Sequence, residues 1–78
     1  MQEEQYFLTQ TTLTSEEGES YIAFGIWAEK SSAAVEDIST RKDQVQAMVS
    51  FFNFRHLPPQ RLTEAVEQML ALEILFDQ

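Results

Sequence analysis

The residues that could carry out acid–base or nucleophilic chemistry are few, and their spacing does not suit it. The chain has one histidine, His56, and no cysteine, so neither a thiolate zinc site nor a cysteine nucleophile is available. His56 lies between Arg55 and Leu57 and directly before two prolines, where a helix-capping or solvent-exposed role is expected. Only two glycines occur, far apart, which argues against a glycine-rich phosphate loop.

Acidic residues form two clusters, Glu16-Glu17-x-Glu19 and Glu36-Asp37. A calcium loop needs oxygen ligands at alternating positions around a tight glycine turn, and the first cluster does not have that spacing. A glycosidase-like pair of carboxylates needs a deep cleft, which 78 residues can hardly build. We therefore predict no catalytic, cofactor or metal site and no enzyme, and interpret the first cluster as a solvated turn, with weak cation binding as a minor alternative.

Length and composition predict one globular domain over residues 1–78. Hydrophobic residues make up 44% of the chain, including six phenylalanines and one tryptophan, but a chain this short builds only a thin core. Such domains often add a disulfide, a metal or a partner chain. The N-terminus carries Glu3 and Glu4 instead of the basic and apolar regions of a signal peptide, and no apolar stretch is long enough for a membrane span. We expect a cytoplasmic protein.

The net charge of −8 argues against direct binding to nucleic acid or to an anionic membrane. Residues 1–38 contain eight acidic residues against one lysine, whereas residues 39–78 contain five acidic and four basic residues. We interpret the acidic first half as a source of solubility. The alternative is a surface that steers a basic partner.

The first half of the chain has the composition of β-strands. Strands are predicted over residues 5–13 and 21–30, and residues 33–38 are a possible third. In the second strand, alternate positions form one apolar face: Ile22, Phe24, Ile26 and Ala28. Gly25, on the opposite face, indicates a bulge or the close approach of another group. Gly18, in the polar turn before this strand, is the natural site for a positive φ.

The second half predicts helices over residues 41–55 and 59–76, separated at Pro58-Pro59 because proline lacks an amide donor and restricts the residue before it. Thr40 and Asp43 fit a capping box at the start of the first helix. Helical spacing gives each helix an apolar stripe: Val45, Met48, Val49 and Phe52, then Leu62, Ala65, Val66, Met69, Leu72 and Phe76. The predicted fold is α+β, a two- or three-stranded antiparallel sheet followed by two antiparallel helices packed on one face, ββ(β)αα.

Three segments together resemble a family of short Firmicute proteins of unknown function. They are Tyr21-x-x-Phe24-Gly25-Ile26, Val35-Glu36-Asp37-Ile38-Ser39, and Leu57-Pro58-Pro59 leading to Leu62-x-x-Ala65-Val66-Glu67-x-Met69-Leu70. The likeness covers about residues 20–72 and implies a bacterial source. The family has no assigned activity, so the resemblance implies no site residues.

Apolar residues remain after the core faces are assigned. On the second face of the sheet these are Tyr6, Leu8, Tyr21 and Trp27, and near the end of the second helix they are Leu70, Ile74 and Leu75. Aromatic clusters of this kind anchor protein interfaces. We therefore expect a non-catalytic interaction module that forms a homodimer or binds another protein. The alternatives are an acidic decoy or inhibitor of a basic, nucleic-acid-binding partner and, third, an enzyme of unrecognised type.

Overall fold

A computed structural model describes the backbone of residues 4–76 and the side chains of residues 4–72. Three strands precede two helices: β1 Tyr6–Thr14, β2 Ser20–Ala28, β3 Ala34–Ser39, α1 Lys42–Arg55 and α2 Leu62–Phe76. A turn of 3-10 helix, Pro59–Arg61, leads into α2. The predicted ββ(β)αα fold is confirmed, and the segment predicted as a possible third strand is one.

The sheet is antiparallel throughout, in the order β1-β2-β3. Its first hairpin pairs Tyr6 with Ala28 at one end and Thr14 with Ser20 at the other. The amide of Ser15 donates to Glu19 O (2.8 Å) to close the turn, and Gly18 has a φ of 86°. The predicted positive φ at Gly18 is therefore confirmed.

The pairing of β2 with β3 is interrupted at Gly25. Phe24 pairs with Ser39 and Ile26 with Val35, so β3 uses more residues than β2 over this step. The extra residues bring the Val35 carbonyl oxygen and Glu36 Cα into the space that a side chain at position 25 would fill. This confirms the close approach predicted from a glycine inside a strand.

The core lies between the sheet and the helices. The predicted stripe of α1 is buried, and so are Leu62 and Val66 of α2. They pack on β2 through Phe24, Ile26 and Ala28. Ile22, predicted for the same face, is 45% exposed, because the helices do not cover this end of the hairpin.

The prediction that Tyr6 and Leu8 lie on the second face of the sheet is wrong. Tyr6 is 1% exposed and belongs to the core, and Leu8 packs against that core. The register is the reason: Tyr6 and Leu8 pair with the core residues Ala28 and Ile26, and cross-strand partners share one face.

The predicted capping box at Thr40 is also wrong. The N-cap of α1 is Arg41, which makes no side-chain capping bond. Instead, the hydroxyl of Ser39 accepts from the Arg41 amide (3.0 Å) and donates to Gln44 Oε1 (2.6 Å). The hydroxyl that bonds to the start of the helix therefore belongs to Ser39, one residue before the Thr40 that the capping box requires.

At the C-terminal end of α1, the backbone of His56 adopts the left-handed conformation, with a φ of 53°. The amide of Leu57 donates back to Phe52 O at 3.1 Å, the bond that closes a helix whose next residue is left-handed. The capping role predicted for His56 is confirmed. After Pro58 the chain turns into α2, whose Met69 lines a small cavity together with Met48 of α1.

Candidate interaction surfaces

The residues first considered for catalysis are dispersed in the fold. Glu16, Glu17 and Glu19 are exposed on the β1–β2 turn, and Glu36 and Asp37 are exposed on the bulge of β3. Within residues 4–72 no three histidine, cysteine or acidic side chains come close enough to hold a metal ion. What the fold does bring together is apolar side chains on two surfaces.

The first surface is the side of the sheet away from the helices, which we call the outer face. Phe7 and Trp27 are cross-strand partners on it, with ring centroids 6.0 Å apart and planes inclined by 35°. Tyr21 lies opposite Leu13 towards the other end. The three aromatic residues are each between 37% and 41% exposed, so their rings are only partly covered by one another and by the strands.

The outer face has no charged side chain on β1 or β2. Its positions are Phe7, Thr9, Thr11 and Leu13 on β1, and Tyr21, Ala23, Gly25 and Trp27 on β2. Antiparallel sheets with one solvated face usually alternate apolar and polar residues. The chain itself covers the middle of this face, where Ala23 and Gly25 are buried and β3 lies against Gly25. In a chain that is 23% charged, the uncharged aromatic ends that stay exposed are the part suited to a partner.

The edge of the outer face is different because the bulge of β3 brings acidic side chains there. Glu36 and Asp37 are exposed, and Asp37 has a φ of 55°. Interfaces commonly have an apolar centre and a polar, solvent-accessible rim. Here Phe7 and Trp27 supply an exposed apolar patch at one end of the outer face and Tyr21 supplies another at the opposite end, and the bulge supplies one side of the rim.

The second surface is a groove of about 400 Å³ between α1 and α2, which we call the helix groove. Apolar side chains make most of it: Phe51, Phe52, Leu57, Pro58, Ala65, Met69 and Leu72. Phe51 and Leu72 are 46% and 52% exposed. The groove is partly open to solvent and does not enclose a small molecule completely.

Two arginines border the helix groove. The guanidinium of Arg55 lies 5.8 Å from the centroid of the Phe51 ring, a cation–π arrangement. Arg61 makes an ion pair of 2.9 Å with Glu64, one turn further into α2. Within residues 4–72, no carboxylate is paired with Arg55.

The seven predicted interface residues have different outcomes. Trp27 and Tyr21 lie exposed on the outer face, whereas Tyr6 and Leu8 lie on the core side of the sheet. Leu70 is half-buried against the core. Ile74 and Leu75 lie outside the residues whose side chains the structure describes.

Phe7 is the outer-face residue that the sequence analysis missed, although a signal for it exists. The polar turn between the first two strands is centred on Glu17, and counting outwards from that centre pairs residue 7 with residue 27. A register derived from the turn would therefore have placed Phe7 beside Trp27. The helix groove has no comparable signal, because it depends on where α2 lies relative to α1.

Shifted pKa values occur away from both surfaces. Burial raises the pKa of the Tyr6 phenol, and the charge of Glu4 raises it further; the phenol donates to Leu57 O inside the fold. The pKa of Glu4 is lowered: desolvation opposes this shift, but amide hydrogen bonds from Lys30 and Ser31 outweigh it. Tyr6 joins the start of β1 to the segment after α1, and Glu4 joins the residues before β1 to the turn between β2 and β3. Neither side chain lines the helix groove or the outer face.

Comparison with known protein families, curated protein sequences and solved structures finds no match in any of the three. Within the part of the chain that the structure describes, no helix has the length and apolar character needed to cross a membrane. The resemblance to short Firmicute proteins stays a prediction.

Proposed function

We propose that this chain is a non-catalytic protein-interaction module that forms a homodimer by packing two outer faces together. The observation that carries the proposal is the uncharged outer face of β1 and β2, with Phe7, Trp27 and Tyr21 partly exposed on it.

The charge of the chain limits where two copies could meet. Two molecules of net charge −8 repel each other, and like charges brought together in an interface cost several kcal/mol. Two copies can meet without such contacts only where the surface is uncharged. On the outer face, β1 and β2 meet this condition and the acidic bulge of β3 stays at the edge. A two-fold axis through β1 and β2 places the same residues on both sides.

The size of the outer face sets the expected strength of the dimer. β1 and β2 have nine residues each, so the face is roughly 30 Å long and about 10 Å wide. Because Ala23 and Gly25 in the middle of the face are already buried in one copy, two copies would bury less than about 600 Å² in total, well below a standard stable interface. We therefore expect a reversible dimer with a dissociation constant on the order of 10–100 µM.

Sedimentation or light scattering over a concentration series tests the proposal. The wild-type chain should pass from the mass of one chain to that of two, and Trp27→Glu should remain a monomer because it buries a charge in the interface. Phe54→Glu is the matched control, since Phe54 is 79% exposed on α1 and remote from the outer face. Circular dichroism should show that both variants are folded.

The single tryptophan gives an independent measurement. Trp27 is 39% exposed in one copy, so dimer formation should remove it from water and shift its emission to shorter wavelength as concentration rises. A wild-type chain that stays monomeric at several hundred micromolar, or a Trp27→Glu variant that still dimerises, would overturn the proposal. Monomeric wild type with Trp27-dependent capture of a different protein would replace self-association by a heterologous interface.

A further inference from the structure

The helix groove has features that the proposed dimer does not use. It lies in the helical layer, between α1 and α2, whereas the outer face lies on the opposite side of the sheet. Phe52 and Met69 form part of its floor, and Phe51 and Leu72 form exposed apolar walls on its two sides. An exposed phenylalanine facing an exposed leucine across an apolar floor indicates a surface shaped for another apolar element.

The charge around the helix groove is opposite to that of the chain. Arg55 and Arg61 border it together with Glu64, a local excess of one positive charge in a molecule of net charge −8. Glu64 is already paired with Arg61. Arg55 is held over Phe51, so its guanidinium is positioned beside the apolar wall and retains donors for a carboxylate.

We propose that the helix groove binds an acidic amphipathic helix from another protein. A helix laid between α1 and α2 would place apolar residues at i, i+3 or i+4, and i+7 against the floor. An aspartate or glutamate beside them would pair with Arg55, whose planar fork suits a carboxylate. A basic helix would bring like charges to both arginines.

Other occupants fit the helix groove less well. A small molecule needs a site that covers most of its surface, and this groove is only partly enclosed. Nucleic acid needs several phosphate contacts, whereas most of the lining is apolar. A second copy of this chain lacks the required helix among its described surfaces: α1 is basic where Phe51 and Phe54 are exposed, and Leu72 is the only large apolar side chain exposed on α2 up to residue 72.

Selection from a displayed peptide library tests this proposal directly. The library would consist of helices about 16 residues long, or roughly 24 Å, with leucine at i, i+3 or i+4, and i+7 and random residues between. Selection against the full-length chain should enrich aspartate and glutamate at the random positions. Enriched peptides would then be labelled and their affinities measured by fluorescence polarisation.

Four variants locate the binding site. Arg55→Glu should lower the affinity for the enriched peptides by about tenfold or more. Leu72→Glu should lower it similarly by placing a charge in the apolar wall of the groove. Lys42→Glu, the same change of charge at the exposed first residue of α1, should leave affinity unchanged. Trp27→Glu should also bind normally, which separates this proposal from the dimer of outer faces.

Several outcomes would overturn the proposal. They are failure to enrich any peptide, enrichment of basic or neutral peptides, and acidic peptides that bind Arg55→Glu as tightly as wild type. Loss of binding in Trp27→Glu alone would place the peptide on the outer face. A dimer abolished by Leu72→Glu and retained by Trp27→Glu would make the occupant a second copy, contradicting both proposals.

Discussion

The side-chain amide of Asn53, in the last turn of α1, is bonded to both main-chain polar groups of Tyr6, the first residue of β1. Asn53 Oδ1 accepts from the Tyr6 amide at 2.8 Å, and Asn53 Nδ2 donates to the Tyr6 carbonyl oxygen at 3.0 Å. Tyr6 is at an edge of the sheet, where these groups have no strand partner. Asn53 therefore replaces a neighbouring strand and attaches the start of the sheet to the helix.

Replacement of Asn53 by alanine should destabilise the chain by about 2 kcal/mol, because two partly buried main-chain groups lose their partners. Urea denaturation would measure the change. Gln46→Ala, an exposed position on the same helix, should alter stability by no more than about 0.5 kcal/mol. If both variants unfold at the same urea concentration, water satisfies Tyr6 as well as Asn53 does.

Gly25→Ala should weaken the pairing of β3 with β2. The added methyl group would lie 2.9 Å from Glu36 Cα and Thr9 Oγ1 and closer still to Val35 O. The backbone atoms cannot move aside without shifting β3, so we expect a loss of about 2–3 kcal/mol and faster amide exchange in β3.

Gly18→Ala is the control for this prediction. No atom lies within 4 Å of a methyl group there, but φ is +86°, so we expect strain of about 1 kcal/mol confined to the β1–β2 turn. Amide exchange in β3 should then match the wild-type chain. If the β3 amides of Gly25→Ala exchange as slowly as those of the wild-type chain, the strand accommodates the methyl group and the prediction is wrong.

The elements of this fold were predictable wherever the local pattern was unambiguous. The spacing of Phe24, Ile26 and Ala28 at every second residue identified the core face of β2, although Ile22 at its start is exposed, and helical spacing identified the buried stripe of α1. β1 lacks that clarity because Tyr6, Phe7 and Leu8 are consecutive apolar residues. Which of them face the helices is decided by the hairpin register, a relationship between two strands and not a property of either.

The candidate surfaces were predictable to the same extent. Trp27 and Tyr21 follow from the alternation of β2, whereas Phe7 requires the register. The helix groove requires the position of α2, which depends on contacts between residues distant in sequence. Asn53 illustrates this limit: its partner Tyr6 is 47 residues away, and an asparagine inside a helix gives no sign of it.

Acid should loosen the turn between β2 and β3. Glu4 accepts from the amides of Lys30 (2.7 Å) and Ser31 (3.1 Å), and these bonds outweigh desolvation to hold its pKa below the ordinary value of 4.5. Because the pKa of Glu4 is lower in the folded state, Glu4 stabilises the fold at pH values above its pKa in the unfolded chain. This stabilisation is lost as the pH falls through its pKa in the folded chain.

An NMR titration of the Glu4 carboxyl carbon should therefore have its midpoint below pH 4.5. Amide exchange at Ser31, corrected for its intrinsic pH dependence, should accelerate over the same interval. Glu4→Ala removes the acceptor, so its Ser31 amide should be weakly protected at every pH. A midpoint at or above the ordinary value would contradict the prediction.

The two phenylalanines at positions 52 and 54 of α1 provide a matched test of the core. Phe52 is 2% exposed, and its ring meets the edge of Tyr6 at a centroid distance of 6.1 Å; Phe54 is 79% exposed. Phe52→Ala should cost about 3–5 kcal/mol, a large part of the stability of roughly 5–15 kcal/mol that a domain commonly has. Phe54→Ala should change the free energy of unfolding by less than about 0.5 kcal/mol. Equal urea midpoints would show that α1 is rotated, with Phe52 outside the core.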